Sequence, residues 1–110
     1  MSAPLRALDL LTLVAAHRLG EGAYGVTIQA EIRQLQGREI SMAAVYAALE
    51  RLERLGLLRP WLSEPRPERG GRARRHFSLS SAGRESIRRA HAEAMRLWSA
   101  VPIPPAGKRR

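Results

Sequence analysis

The sequence predicts a mainly α-helical fold that carries one small β-hairpin. Apolar residues recur at helical spacing through most of the chain, whereas the periodicity changes after Gly56, where two short β-type segments flank a loop rich in proline and glycine. The 110 residues fit one domain, and 45% apolar residues are enough to form a core. A domain of this size buries only about two-thirds of its unfolded surface, so an oligomer interface would add stability.

The first predicted helix covers residues 4–19, and Pro4 suits its first position. Its polar residues form a narrow stripe through Arg6, Asp9 and Thr12, and apolar residues occupy most of the remaining circumference. Because such a helix must be buried on more than one side, we expect it to contact a partner chain or another terminal helix.

Two further helices are predicted at residues 25–36 and 42–55, after a glycine-rich break. Gly37 ends the first of them, Ser41 is a good N-cap for the second, and Gly56 lies where the second should stop. The positions expected to face inward are Ile28, Ile32, Leu35, Val45, Leu49 and Leu52. Since the link is only about four residues long, the pair has the form of a helix-turn-helix.

The next segment is predicted to form a β-hairpin with a basic tip. Residues 57–63 and 74–79 are the strands, and residues 64–73, which contain prolines and glycines, form the loop. Pro60 cannot donate to a strand ladder, so it should lie at a sheet edge or a bulge. Three helices followed by such a hairpin predict a winged helix-turn-helix.

A fourth helix is predicted over residues 81–101, with Ser80 as its cap. Its apolar residues recur in alternating steps of three and four, as in a short heptad seam. The seam is too short and too rich in alanine to associate alone, so it would need the apolar first helix of a second copy. Packing within one chain is the alternative. The predicted dimer interface consists of Leu5, Leu8, Leu11, Ile87, Ala90, Ala94, Leu97, Trp98 and Val101.

The chain therefore divides into three predicted parts. Residues 1–79 form a winged helix-turn-helix domain, residues 80–101 form a C-terminal dimerisation helix, and residues 102–110 form a basic, proline-rich tail that we expect to be disordered.

The charge distribution indicates a polyanionic partner. The net charge is +9, yet residues 1–56 are balanced, so the excess lies wholly in the second half of the chain. A generic solubilising surface is the alternative explanation.

No pattern of residues indicates catalysis or a cofactor. Gly20, Gly22 and Gly25 match a dinucleotide-binding spacing, but a helix rather than a strand precedes them, so we interpret them as a link between helices. His17, His76 and His91 lie in different elements without metal-ligand spacing. No serine has a nucleophile context.

The composition also favours a cytoplasmic protein. The chain has no cysteine, which excludes disulfides and thiol catalysis and suits a reducing compartment. The apolar stretch at 10–16 is too short to span a bilayer, so no membrane contact is expected.

The third helix and the hairpin are the predicted contacts to double-stranded DNA. The helix can enter the major groove, and its outward face carries small or slender side chains at its start. Tyr46 could bind a phosphate, contact a thymine methyl group or pack on the second helix. Arg51 could bind a phosphate or pair with Glu50 or Glu53. The predicted DNA-binding residues are Ser41, Met42, Ala43, Tyr46 and Arg51 on the helix, and Arg66, Arg69, Arg72, Arg74 and Arg75 in the hairpin.

Three segments resemble the PadR family of bacterial transcriptional regulators. They are Ala-Tyr-Gly-Val-Thr-Ile at 23–28, the segment at 41–58 with its Val-Tyr-Ala-Ala-Leu-Glu-Arg-Leu-Glu core, and Gly-Gly-Arg-Ala-Arg-Arg-His-Phe-Ser-Leu at 70–79, continuing to Arg84. The single C-terminal helix is typical of the short subgroup. His76 and Phe77 depart from the family pattern, which has two tyrosines there, so this pair has no hydroxyl group to offer to DNA.

The resemblance implies a homodimeric repressor in which the first and last helices form the dimer and Tyr46 and the hairpin arginines face DNA. Some short members bind flat aromatic molecules at the dimer interface, and Trp98 is the candidate lining residue here, with interface packing as its alternative role. We therefore predict a sequence-specific regulator that binds a near-palindromic operator. The alternatives are a protein–protein interaction module and a nonspecific nucleic-acid-binding protein.

Overall fold

The element order confirms the predicted fold class. The computed structural model describes residues 5–64 and 74–102. In that part of the chain the elements are α1 (Ala7–Leu19), α2 (Gly25–Gln36), α3 (Met42–Arg54), β1 (Leu58–Leu62), β2 (Arg75–Leu79) and α4 (Ser81–Ser99), with a short 3-10 turn at Gly20–Gly22. The predicted loop tip at 65–73 and the tail beyond Pro102 lie outside the described residues.

Helix α1 begins three residues later than the sequence predicts. Ala7 is its first residue, and Arg6 takes the N-cap position with an extended backbone and no capping hydrogen bond from its side chain. Leu5 therefore precedes the helix, although the residues 4–19 were expected to be helical. The polar stripe is also turned inward, since Asp9 and Thr12 are both buried.

The core lies where α1, α2 and α3 meet the base of the hairpin. Its largest fully buried side chains are Leu13, Ile28, Ile32, Val45, Leu49, Leu52 and Leu58, and Phe77 joins them. Leu35 was expected to face inward but is exposed, because it lies in the last turn of α2, just before Gly37 takes a left-handed conformation and the chain turns away.

The hairpin is antiparallel, and Pro60 pairs with Phe77. The Phe77 N–H donates to the Ala23 carbonyl oxygen at 2.9 Å, so β2 is also bonded to the segment before α2. Strand β1 is therefore the outer strand. Because the Phe77 N–H points away from β1, Pro60 and Phe77 form a pair without backbone hydrogen bonds between the two strands. The missing N–H of proline therefore removes no hydrogen bond from the hairpin at this position. The expected edge position of Pro60 is confirmed.

Helix α4 is fastened to the body at its first turn. Ser80 Oγ accepts a hydrogen bond from the Gly83 N–H at 3.0 Å and donates one to the Gly56 carbonyl oxygen at 2.7 Å. The Ser80 N–H donates to Leu57 O at 3.1 Å. The helix ends at Ser99, two residues earlier than predicted. A radius of gyration of 16.7 Å exceeds the roughly 13 Å of a compact chain of this length, which indicates an elongated molecule.

In the described part of the chain, no helix is long and apolar enough to cross a membrane.

Candidate nucleic-acid interface

The turn between α2 and α3 is fixed by side-chain hydrogen bonds. Gln29 Nε2 donates to the Ile40 carbonyl oxygen at 2.7 Å, which ties the middle of α2 to the residue before the cap of α3. Ser41 Oγ accepts from the Ala44 N–H at 3.1 Å, as its predicted cap role requires. These two bonds, together with the packing of Val45 and Leu49 in the core, hold α3 at one angle to α2.

The first two turns of α3 present a shallow face to solvent. Ser41 and Ala43 are exposed, Met42 and Ala47 are half-buried, and Tyr46 is 53% exposed. The structure therefore brings four predicted contact residues, Ser41, Met42, Ala43 and Tyr46, together at the start of one helix.

Tyr46 lies across the start of α2, directly over Gly25. A Cβ atom added to Gly25 would lie 2.7 Å from Tyr46 Oη and 2.8 Å from its Cε1. The packing role predicted for Tyr46 is thus present, and the ring is still half-exposed. Its contact with DNA stays a prediction. The sequence predicts only a linking role for Gly25, because the two residues are 21 positions apart and no local pattern indicates their contact.

Arg74 is directed toward the same corner of the molecule. Its guanidinium lies 4.5 Å from the centre of the ring of Tyr24, the residue that immediately precedes α2. The Tyr24 N–H donates to Thr27 Oγ1 at 3.0 Å, which caps the start of that helix. A cation near the helix start is unfavourable for the helix dipole but would attract an anion.

Arg75 connects the hairpin to α3. Its Nη2 lies 2.7 Å from Oε1 of Glu53, and both side chains are partly exposed. The guanidinium also lies 5.6 Å from the centre of the Phe77 ring. Arg75 is therefore anchored beside α3. The predicted contacts Arg66, Arg69 and Arg72 lie outside the described residues.

Arg51 is turned away from this face and is held by Asp9 of α1. Its Nε lies 3.2 and 3.1 Å from the two carboxylate oxygens, and its Nη2 lies 2.7 Å from Oδ1. The hydrogen bonds to Asp9 raise the pKa of Arg51 above its ordinary value, so the guanidinium stays charged. The alternative left open for Arg51, an ion pair with Glu50 or Glu53, is not formed, because Arg51 pairs with Asp9 and Glu53 pairs with Arg75. A phosphate contact would have to compete with a two-point ion pair whose carboxylate is only 3% exposed.

His76 and Phe77 are both buried at the base of the hairpin. The His76 ring stacks on Trp61 with 4.3 Å between ring centres, and its Nδ1–H donates to the Glu21 carbonyl oxygen at 2.9 Å. The departure from the family pattern therefore lies inside the protein and not on the exposed face. Within residues 5–64 and 74–102, no three His, Asp or Glu side chains are grouped as metal ligands would be.

The predicted dimer residues fall into two groups. Leu8, Leu11 and Ile87 are half-buried against the core. Four of the others line a groove of about 860 Å³ between α1, the end of α3 and α4. Those that line it are Leu5, Ala90, Ala94 and Leu97. Leu97 is 59% exposed, and Trp98 and Val101 are also exposed near the end of α4.

A helix-turn-helix, a two-stranded wing and a projecting C-terminal helix define a winged helix-turn-helix protein. Residues 13–89 match the model of the transcriptional regulator PadR-like family. The chain belongs to this family, as the three sequence segments indicated.

Solved structures with the same fold include several transcriptional regulators. A PadR family regulator from Clostridium difficile R20291 is 21% identical, with a TM-score of 0.69 over 86% of this chain and 94% of that chain. A Streptococcus transcriptional regulator is 22% identical, with a TM-score of 0.66 over 87% and 94%. Bacillus subtilis PadR, solved in complex with operator DNA, is 15% identical, with a TM-score of 0.60 over 96% of this chain and 53% of that chain. Among curated proteins, none matches this sequence significantly.

Proposed function

We propose that the protein is a cytoplasmic, homodimeric transcriptional repressor that binds a near-palindromic site in double-stranded DNA. The observation that carries this proposal is the exposed start of α3. Its small side chains would let the helix backbone approach base edges in a major groove, and the Gln29–Ile40 bond holds it at a fixed angle. The solved complex of Bacillus subtilis PadR with operator DNA supports the same use of the fold.

Arginine supplies the attraction to phosphate. The net charge of +9 arises in the half of the chain that contains the wing and α4. Arg74 lies over Tyr24 before α2, Arg75 lies beside Glu53 toward the end of α3, and both arginines are exposed and available to phosphates. If each subunit makes three to five phosphate contacts, affinity should fall about 10³- to 10⁵-fold between 50 and 200 mM salt.

The exposed end of α4 supports a dimer. Leu97 and Trp98 are 59% and 54% exposed, and Leu97 also borders the apolar groove beside α1. A second copy that places its own α1 and α4 against this groove would cover them. We expect Leu97→Glu to give a monomer in analytical ultracentrifugation, because it places a charge in the interface. Ala92→Glu, on the exposed side of the same helix, should stay dimeric and serves as the matched control.

The groove also gives a possible effector a location. Its volume of about 860 Å³ lies within the range of small-molecule sites, and its lining combines apolar side chains with charged ones. We propose that a flat aromatic compound binds there between the two copies, close to Trp98, which follows the lining residue Leu97 on α4. In a Trp61→Phe protein, Trp98 is the remaining tryptophan, so quenching of its fluorescence by acridine would test this site. Unchanged fluorescence would count against it.

The function is tested by fluorescence anisotropy with two labelled duplexes, the DNA upstream of the gene and a scrambled version, across a salt series. A preference for the upstream duplex that persists as salt rises supports a site-specific regulator. Equal and steeply salt-sensitive binding to both indicates a nonspecific nucleic-acid-binding protein. Absence of binding at low salt indicates a protein–protein module.

Two variants with the same charge change sharpen the test. Ala43→Glu places a carboxylate on the exposed face of α3, where it would meet phosphates and base acceptors, and it should abolish binding. Ala92→Glu lowers the net charge equally but lies on α4, and it should bind nearly as the wild type does. Repression is then checked with a reporter gene behind the upstream DNA, whose transcription should rise when the protein is absent or carries Ala43→Glu.

A further inference from the structure

We infer that α3 selects its site mainly through thymine methyl groups and not through hydrogen bonds to base edges. The inference rests on the proposed function and names the chemical feature of DNA that the helix reads. The side chains assigned to it are Met42, Ala43 and Ala47.

The first step is to ask which hydrogen-bonding side chains the exposed face of α3 can offer to base edges. Met42, Ala43 and Ala47 offer no hydrogen-bond donor and no strong acceptor. Ser41 Oγ accepts the bond that caps the helix, so its single O–H is the one donor that it can offer to a base. The Tyr46 ring lies over Gly25, at the side of the face nearest α2.

The remaining polar side chains lie late on the helix or point elsewhere. Arg51 is held by Asp9, and Glu53 pairs with Arg75. Arg54 lies in the last turn of α3. Glu50 is exposed, but it is two turns beyond the start of α3 and carries the same charge as the phosphates. Bidentate contacts from Arg, Lys, Asn or Gln, which commonly specify guanine or adenine, therefore have no source on the first two turns.

The second step is what an apolar helix face can distinguish in a major groove. Every base pair displays hydrogen-bonding groups there, and thymine adds a C5 methyl group. A methyl side chain that covers a donor or acceptor excludes water without replacing its hydrogen bond, which is unfavourable. Against a thymine methyl group, the same side chain buries apolar surface on both partners. The face therefore favours thymine.

The third step is spacing. Ala43 and Ala47 are one helical turn apart, which separates them by about 6 Å along the helix axis. If α3 follows the direction of the major groove, the two methyl groups reach positions no more than about two base-pair steps apart, at 3.4 Å each. A preferred half-site should therefore contain two thymines within about two steps of each other, on either strand.

The experiment replaces thymine by deoxyuridine, which lacks only the C5 methyl group. The duplex preferred by the wild-type protein is first located by footprinting on the upstream DNA. Each dT in that duplex is then changed singly to dU, and the Kd is measured by anisotropy at fixed salt. Loss of one buried methyl contact should weaken binding about fourfold, equivalent to about 0.8 kcal/mol. Replacing both symmetry-related thymines should weaken it about 15-fold, and thymines outside the contact should have no effect.

Protein variants then link the methyl groups to residues. Ala43→Gly or Ala47→Gly should abolish the difference between dT and dU at one position each. Ala92→Gly introduces the same flexible residue into an exposed helix position on α4, and it should keep the full difference.

The outcomes separate this inference from the proposed function. Specific binding that is insensitive to every dU substitution overturns the inference and leaves the regulator intact. A dU effect that survives both glycine changes in α3 overturns the assignment to Ala43 and Ala47. Equal binding to the preferred and scrambled duplexes overturns the proposed function itself.

Discussion

The contact between Gly25 and Tyr46 predicts that one methyl group added at Gly25 weakens DNA binding and leaves the free energy of unfolding nearly unchanged. In Gly25→Ala, the new Cβ would lie 2.7 Å from Tyr46 Oη, 2.8 Å from Cε1 and 2.9 Å from Cζ. These separations are far below the roughly 3.5–4.0 Å of favourable carbon contacts. Gly25 is buried at the start of α2, whereas the Tyr46 ring is half-exposed, so the ring is the group that moves.

The free energy of unfolding should change little. Displacing a side chain from its preferred rotamer costs about 0.5–1.5 kcal/mol. Replacing glycine by alanine where the backbone conformation suits alanine contributes about 0.4–1 kcal/mol in the opposite direction, because the unfolded chain loses conformational freedom. Urea denaturation should therefore detect a net change of no more than about 1 kcal/mol.

DNA affinity should fall much further. If Tyr46 donates to a phosphate, the lost hydrogen bond to a charged group contributes about 1.5–3 kcal/mol per subunit. This range corresponds to about 10- to 150-fold in Kd for one contact, and to about 10²- to 10⁴-fold when both subunits of the proposed dimer lose it. Gly22→Ala is the matched control, because an added Cβ there meets no atom within 4 Å. In a Tyr46→Ala background, Gly25→Ala should have no further effect on binding. Wild-type affinity of Gly25→Ala, or an equal loss in the Tyr46→Ala background, would refute the reasoning.

Three further substitutions test the scaffold by urea denaturation. Asp9→Asn should lower the midpoint clearly, because it leaves Arg51 without its counter-charge, whereas Glu39→Gln removes an exposed carboxylate and should shift it little. Because the pKa of Arg51 is raised, its charged form contributes fully to the free energy of unfolding at neutral pH, and this contribution is lost only when a strongly alkaline pH passes that pKa. The urea midpoint should therefore show no titration of Arg51 between pH 6 and 9. Gly83→Ala should destabilise by about 1–3 kcal/mol, since its Cβ would lie 2.3 Å from the Leu57 carbonyl oxygen; an unchanged midpoint would contradict this close approach. Gln29→Ala should cost about 1 kcal/mol and also weaken DNA binding, and full DNA affinity would show that the bond to Ile40 does not position α3.

The element order could be predicted because its signals are local. Ser41 and Ser80 accept capping bonds from the residues three positions later, as their sequence contexts indicate. Gly37 and Gly56 have positive φ angles of 75° and 77°, where glycine is favoured over other residues. Each of these features involves neighbours in the chain, so a single sequence contains the information. The start of α1 was misplaced because Pro4 only permits a helix start and does not impose one.

The parts of the site that were missed depend on contacts between distant residues. Asp9 and Arg51 are 42 positions apart, and the residues next to either one give no indication of the ion pair. A carboxylate on a mostly apolar helix is consistent with solvent exposure as much as with burial. The choice depends on whether the third helix places an arginine opposite it, which is a property of the helix packing angle. The pairing of Gly25 with Tyr46 is hidden for the same reason.

The buried Asp9–Arg51 pair also bears on how the two proposed activities are connected. It joins α1, which borders the proposed dimer groove, to α3, which carries the proposed DNA-binding face. Asp9 and Arg51 both line that groove. A ligand or partner chain that occupies the groove therefore lies next to the ion pair that attaches α3 to α1. Because the guanidinium is held at two carboxylate oxygens, a tilt of α1 would have to move α3 or break hydrogen bonds to a charge. The dimer arrangement and the spacing of the two α3 helices should therefore be mechanically linked, and operator affinity should depend on the quality of the dimer as well as on contacts to DNA.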